Sequence, residues 1–436
     1  MTSLKQLEHF RKQAYLWLGN GRDALFDLMD AVLCTRSLSS FAELSLSPVF
    51  RRQWPSLYEG LQDGRPNCEA LMAQYISQIP ESEPVMLVGD HTAWSRPHAK
   101  TLRERTYEHQ AQSMSGSKPV TLGHGYSTLA WVPTAQQCWA LPLRHERITS
   151  FETPLQKAAT QLSRACEHLK RPALFIADSE YGSASFLRHS AAIRCAKLLR
   201  LRPNRVLYRS AAPYQGRGRP PQHGAKFALK DPDTWRSPQA DLFIDDPKLG
   251  ALRLRRWSAL HFKQAYDLPF ELILIERLDE PTAKPLWLLW VASECQTLNI
   301  ESVWSLYRQR FNIEHWYRCL RQRLHWTLPT LATPEQMETW SHLMPLLTWQ
   351  LWLARDAVHD TPLPWQKAMA HSQLTPARIA SGFASLLVRI GSPATEPKPR
   401  GKSPGWTKGR KRTPHPRYPT VKKRHSRPRN TSKKAA

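Results

Sequence analysis

Ala173-Leu174-Phe175-Ile176-Ala177-Asp178 is a run of five apolar residues that stops on an acid. The run is short, and unbroken apolar character over so few residues fits a buried strand better than a helix. Val85-Met86-Leu87-Val88-Gly89-Asp90, preceded by Pro84, repeats the pattern upstream. In open α/β sheets, ligand chemistry gathers outside the carboxyl ends of the strands, where both aspartates stand.

Working outward, residues 91–118 form a long polar loop rich in Arg, Lys and His. Val120–Val132 and Cys138–Leu143 are the next strand candidates. Phe151–Leu169 is predicted as a helix, Ser183–Ala192 as a short helix and Cys195–Leu201 as a strand. The order strand, strand, strand, helix, strand, helix, strand is that of a ribonuclease-H-like α/β core. Residues 203–285 are expected to interrupt it as a mostly β insertion, with alternation at Leu249–Trp257 and Phe270–Ile275. Trp287–Ala292 returns as a buried strand, Asn299–Leu324 is a long helix, and Pro334–Ile390 is helical with proline breaks. These segments define a catalytic domain over 84–390.

Before that domain, residues 1–83 carry helical periodicity at Leu7–Leu18, Ala24–Leu33 and near Glu69–Gln78, broken at Gly19-Asn20-Gly21. This N-terminal helical domain either binds DNA ends or packs on the core. Beyond Gly391 the chain is Pro, Lys, Arg and Gly, and 391–436 are expected to be a disordered basic tail.

The 436 residues carry a net charge of +26 and a pI near 10.1, which points to a polyanionic partner. Residues 391–436 contribute +14 and residues 1–83 contribute −2, leaving +14 for the middle of the chain. The seven scattered cysteines include no CxxC pair, which fits reduced thiols and excludes a disulfide frame or a cysteine zinc site. The first residues are too charged for a signal peptide. Leu343–Ala354, the longest mostly apolar stretch, is too short to span a bilayer and contains Pro345. The expectation is a soluble, cytoplasmic protein associated with the nucleoid.

On the predicted helix around Glu314, the positions Tyr307, Arg310, Glu314 and Arg321 fall within about 60° of one another. Leu306, Ile313, Leu320 and Leu324 form a neighbouring apolar stripe. One face packs inward while the next presents an acid between basic residues. Three carboxylates, Asp90, Asp178 and Glu314, suit Mg²⁺, a hard ion that prefers oxygen ligands. Two such ions about 3.5–4 Å apart activate an attacking oxygen and stabilise a leaving one, with Mn²⁺ able to substitute. Arg310 and Arg321 are suited to bidentate phosphate contacts.

Tyr307, two residues, Arg310, three residues, Glu314, six residues and Arg321 resemble the helix signature of insertion-sequence DDE transposases, the broad group that includes the Tn-five transposase. Val88-Gly89-Asp90-His91-Thr92 and Ile176-Ala177-Asp178-Ser179-Glu180-Tyr181-Gly182 look like that family's first and second acids. The resemblance covers roughly 84–355 and departs at its last basic position, an arginine where the family has lysine. It implies a homodimer that binds terminal inverted repeats, cuts DNA at the element ends and joins the 3′-hydroxyl to target DNA. It further implies a flipped base at a hairpin end, stacked on a tryptophan of the insertion, with Trp235 and Trp257 as candidates. Two rivals stay open: a nuclease that only hydrolyses, and a retired transposase that only binds DNA.

Other residues carry weaker signals. Arg96, Arg103 and Arg105, just after Asp90, are expected to touch DNA. His91, His98, His109, His124 and His145 lack the paired spacing of zinc ligands and are assigned to loop or DNA-facing roles. Glu180 is either a rival ligand or a solvent-facing residue. Gly216-Arg217-Gly218-Arg219 is a mobile DNA-contacting turn by composition.

Overall fold

The computed structural model describes residues 3–109, 119–134, 138–214, 216, 219–280, 282–293, 298–399, 405, 407–411 and 413–423. The described residues form a mixed α/β structure with one large mixed sheet and ten α-helices. The centre of the sheet is made by β1 (Val85–Ser95), β5 (Ala173–Ala177) and β6 (Cys195–Leu201), all parallel. On one side β3 (Val120–Trp131) runs antiparallel to β1. It carries β2 (Thr106–His109) and β4 (Leu141–Ile148) on its far edge.

Two expectations change here. The first strand does not end at Asp90: it continues to Ser95, and β2 follows within what reads as a polar loop. Polar residues sit on this extension because it pairs with β3 while its other edge is free of β5, whose pairing stops at Gly89. The segment 203–285 does not stand apart as an insertion either. β12 (Leu286–Val291) pairs antiparallel with β6, and β11 (Ala265–Arg277), β10 (Gly250–Phe262), β7 (Val206–Arg209) and β8 (Lys226–Ala228) continue the same sheet outward. β9 (Ala240–Asp246) pairs with β10.

Three helices start on the same local chemistry. Thr153, Thr333 and Thr375 each accept a backbone N–H three residues on, and each precedes a proline at the first helical position. The threonine oxygen satisfies an otherwise orphaned donor and proline lacks the N–H that would be orphaned. These residues open α5 (Pro154–His168), α9 (Pro334–Ala354) and α10 (Pro376–Ile390), and α5 carries a full capping box through Gln156.

The N-terminal helices α1 (Ser3–Trp17), α2 (Arg22–Cys34), α3 (Pro55–Asp63) and α4 (Cys68–Ile76) share one continuous apolar cluster with the sheet and α9. Buried polar groups tie them in. Arg11 bonds Asp30 at 2.8 Å and Gln350 of α9 at 2.5 Å. Arg323 donates to the carbonyls of Val32, Leu33 and Thr35 at the end of α2. The packing role of residues 1–83 is therefore realised in the structure.

The tail departs from the expectation of a disordered segment over part of its length. Thr395 N donates to Asp23, and Arg51 donates to the Ala394 carbonyl. Further on, Tyr418 N and Val421 N donate to the carbonyls of Lys100 and Arg105 at 2.8 Å each. Lys423 Nζ then meets the buried Glu108 carboxylate at 2.7 Å. Backbone pairing and a buried ion pair are tertiary partners that composition does not reveal. Residues 424–436 lie outside the described residues, as do Arg217 and Gly218.

Candidate active site

The register between β1 and β5 sets Gly89 beside Ala177. The next residue in each case is an aspartate, so Asp90 and Asp178 stand side by side where the parallel pairing of β1 with β5 stops. Two close approaches fix this edge. A Cβ on Gly89 would sit 2.5 Å from the Phe175 ring, and one on Gly182 would sit 1.9 Å from the Arg200 carbonyl. Only glycine lets the turn after Asp178 fold down onto β6. Tyr181, fully buried against Phe175 and Phe186, pins that turn from within.

Burial pushes the Asp90 carboxyl up to about 6, and the neighbouring Asp178 charge adds to this; His91 and Arg310 pull the other way. The Asp90 carboxylate accepts the His91 N–H at 2.8 Å, and that of Asp178 accepts the Glu180 N–H at 2.9 Å.

The helix expected over Asn299–Leu324 is not continuous. α7 (Val303–Arg308) and α8 (Asn312–Gln322) are joined by a tighter 3₁₀ turn, Gln309–Phe311. That turn rotates Tyr307 inward, to 2 % exposure, while Glu314 projects outward from the first turn of α8 with half its side chain exposed. Arg310 is buried between them and places Nη2 2.7 Å from Glu314 Oε1. Asp90, Thr92, Glu314, Tyr317, Arg318 and Arg321 line one cavity of about 930 Å³, in which Arg321 Nη2 donates to Thr92 Oγ1. Asp178 lies beside this cavity and does not line it. The three acids are thus brought to one edge without closing on one another: among the described residues, no group of three His, Cys, Asp or Glu side chains is drawn in to metal-binding distance.

Several partners carry no signal in the sequence. His91 reaches Glu180 Oε2 at 3.2 Å through Nε2 and the Tyr181 hydroxyl at 3.4 Å through Nδ1. Glu180 also faces Arg202 at 3.7 Å. Tyr317 donates to Thr128, the residue opposite Asp90 on β3, at 2.9 Å. Thr128 stands 2.8 Å from His145 Nδ1. Burial holds His145 well below its ordinary value, which favours a neutral ring beside the Thr128 hydroxyl. These contacts join β3, β4 and α8, and only their convergence in space identifies them.

The basic loop after Asp90 is less outward-facing than its composition suggests. Arg105 is 4 % exposed and donates to the Pro97 carbonyl at 2.8 Å and to that of Tyr418. Arg96 is half-buried against the Pro329 carbonyl. Arg103 is exposed and grips Glu335 with two bonds, at 2.9 and 3.0 Å. His124 and His145 are core residues at 1 % exposure, not DNA-facing ones. Trp257 is fully buried and donates to the Arg236 carbonyl at 2.8 Å, which closes it to a flipped base. Trp235 is half-buried in the same cluster, stacked on Phe227 and bonded to the Ala228 carbonyl.

A helix-flanked mixed sheet with two aspartates where a parallel strand pair diverges, beside a helix that presents an acid and arginines, has the make-up of a nuclease-type α/β site. The family model described as DDE superfamily endonuclease matches residues 18–261, and the chain belongs to that family. The matched stretch contains Asp90 and Asp178 and ends before Glu314. No curated protein matches the chain.

Proposed function

We propose that the chain is the DDE transposase of an insertion sequence, cutting DNA at the element ends and joining the freed 3′-hydroxyl to target DNA. The observation that carries the cutting step is the paired register of Asp90 and Asp178 across a cavity edge from Glu314 and Arg321. The spatial order β4-β3-β1-β5-β6 supports a ribonuclease-H-like core. The joining step rests on the helix signature and on family membership.

Asp90 and Asp178 would hold a divalent cation. Their donors are hard oxygens, and the elevated Asp90 carboxyl beside a second acid is a site short of positive charge. Glu314, once released from Arg310, would be the third carboxylate available to such ions. Bound Mg²⁺ or Mn²⁺ supplies an activated oxygen nucleophile and neutralises charge on the phosphate. The protein's own groups do the rest. Arg321 faces the cavity and would hold phosphate oxygens with the fork geometry that lysine lacks. The Tyr317–Thr128–His145 chain fixes α8 against β3, so the distance between Glu314 and Asp90 is set by buried hydrogen bonds. Arg103 reaches DNA by releasing Glu335. Inverted repeats, a target duplex and a second protein copy belong to this reading.

The test is a strand-transfer assay on DNA ends taken from the flanks of the gene, with Mg²⁺ or Mn²⁺. Cleaved and joined products are expected from the wild type. Asp90→Ala, Asp178→Ala and Glu314→Ala are each expected to bind DNA without reacting. Full activity in any of the three removes that residue from the site, and cleavage without joining reduces the protein to a hydrolytic nuclease.

A further inference from the structure

A second cavity, of about 360 Å³, lies on the other flank of α8, against the start of α10. Its polar lining includes Arg36, His315, Arg318 and Arg323, and no carboxylate is among its lining residues. Arg323 is buried and committed to backbone carbonyls. Arg36 and Arg318 are exposed and make no ion pair or side-chain hydrogen bond with any described residue. Many other arginines, among them Arg103, Arg144, Arg147, Arg188, Arg253 and Arg255, meet carboxylates. Two uncompensated guanidinium groups facing an acid-free hollow favour an anionic occupant.

The two cavities are contiguous. Arg318 and Gln322 line both. Glu314, His315, Arg318, Arg321 and Gln322 form one exposed stripe along α8, so a strand leaving the catalytic cavity crosses this ridge into the second hollow. From Glu314 to Arg318 the helix rises about 6 Å, one turn of α8, so the second hollow begins one helical turn from the acid.

We propose that this second cavity is a phosphodiester subsite, in which Arg36 and Arg318 hold the backbone of the DNA strand next to the segment that carries the reacting phosphate. The inference rests on the transposase reading for its choice of ligand. Arg36 comes from the end of α2, so the subsite gives the N-terminal helices a DNA contact despite their slightly negative charge.

The experiment is fluorescence anisotropy of a labelled 30-base-pair duplex, titrated with full-length protein over a series of KCl concentrations. Arg36→Ala/Arg318→Ala is expected to bind more weakly and to flatten the slope of log affinity against log salt by about 1.8, about 0.9 per lost phosphate contact. Arg36→Lys/Arg318→Lys is expected to keep most of the slope, which separates lost charge from lost folding. An unchanged slope in the alanine variant overturns the subsite, and so does an equal loss in both variants. Failure of the broader reading is distinguishable in the same samples. Arginine-dependent binding without divalent-dependent cleavage leaves the subsite standing and removes the chemistry. Cleavage by the wild type with no slope change in the alanine variant does the reverse.

Discussion

Arg310 Nη2 lies 2.7 Å from Glu314 Oε1, one helical turn away across the junction of the 3₁₀ turn and α8. In this arrangement the buried guanidinium stands between Glu314 and Asp90 in charge, pairing with the first and lowering the pKa of the second. The two partners are unequal. Arg310 is 8 % exposed at its side chain and Glu314 is 51 % exposed.

That inequality separates the two variants. Glu314→Gln is expected to change unfolding free energy by no more than about 1 kcal/mol, because a half-exposed ion pair contributes little, while abolishing cleavage. Arg310→Ala removes a buried side chain packed on Phe311 and is expected to cost about 2–3 kcal/mol. Urea denaturation of both proteins checks this. Equal costs would show that the pair is not organised as described.

Gly182 is expected to tolerate no side chain. Gly182→Ala must push the turn after Asp178 away from the Arg200 carbonyl, at about 1–3 kcal/mol, and displace Asp178 with it. Loss of both stability and cleavage is the expected result. A variant with wild-type melting and activity would sink this account of the strand-end geometry.

Acid is expected to destabilise the fold through its buried histidines. Burial lowers His124 to about 4 from an ordinary 6.5, so the folded state binds fewer protons than the unfolded chain between those values. The stability from neutral His124 is fully present above about pH 6.5 and is lost as pH falls towards 4, on the order of 3 kcal/mol. His145, also lowered by burial, acts in the same direction. Melting temperature measured across this range is expected to fall steeply, and less steeply in His124→Gln. Parallel profiles would remove His124 as a cause.

Lys423 gives the docked tail its own test. Glu108 is buried at 5 % exposure, and Lys423 is its cationic partner at 2.7 Å. Lys423→Met leaves that carboxylate short of a counter-charge and loosens the backbone pairing at Lys100 and Arg105. Hydrogen exchange is expected to speed up over residues 100–109 and to stay at wild-type rates in β5 and β6. Unchanged exchange at 100–109 would mean that the tail contact does not persist in solution.

Much was legible before any coordinates. Apolar runs ending in Asp90 and Asp178 mark buried strands because a strand covered on both faces has no polar positions until it leaves the core. The Tyr307, Arg310, Glu314 and Arg321 spacing marks a helix face because helical periodicity is local. Other features were hidden for equally physical reasons. The 3₁₀ turn at Gln309–Phe311 changes which way Tyr307 points, and nothing in three residues of sequence signals it. Arg105 and His124 have the composition of a surface, yet neighbours distant in sequence bury them.

By itself, the sequence determined the α/β character, the apolar runs that lead into Asp90 and Asp178 and the amphipathic helix carrying Glu314, since each follows from short-range pattern. Tertiary structure alone decided that residues 203–285 extend the central sheet, that the tail returns to Glu108, and that Arg105 and His124 are buried. Those outcomes depend on strand pairing, burial and charge contacts between residues far apart in the chain, and such contacts exist only once it has folded.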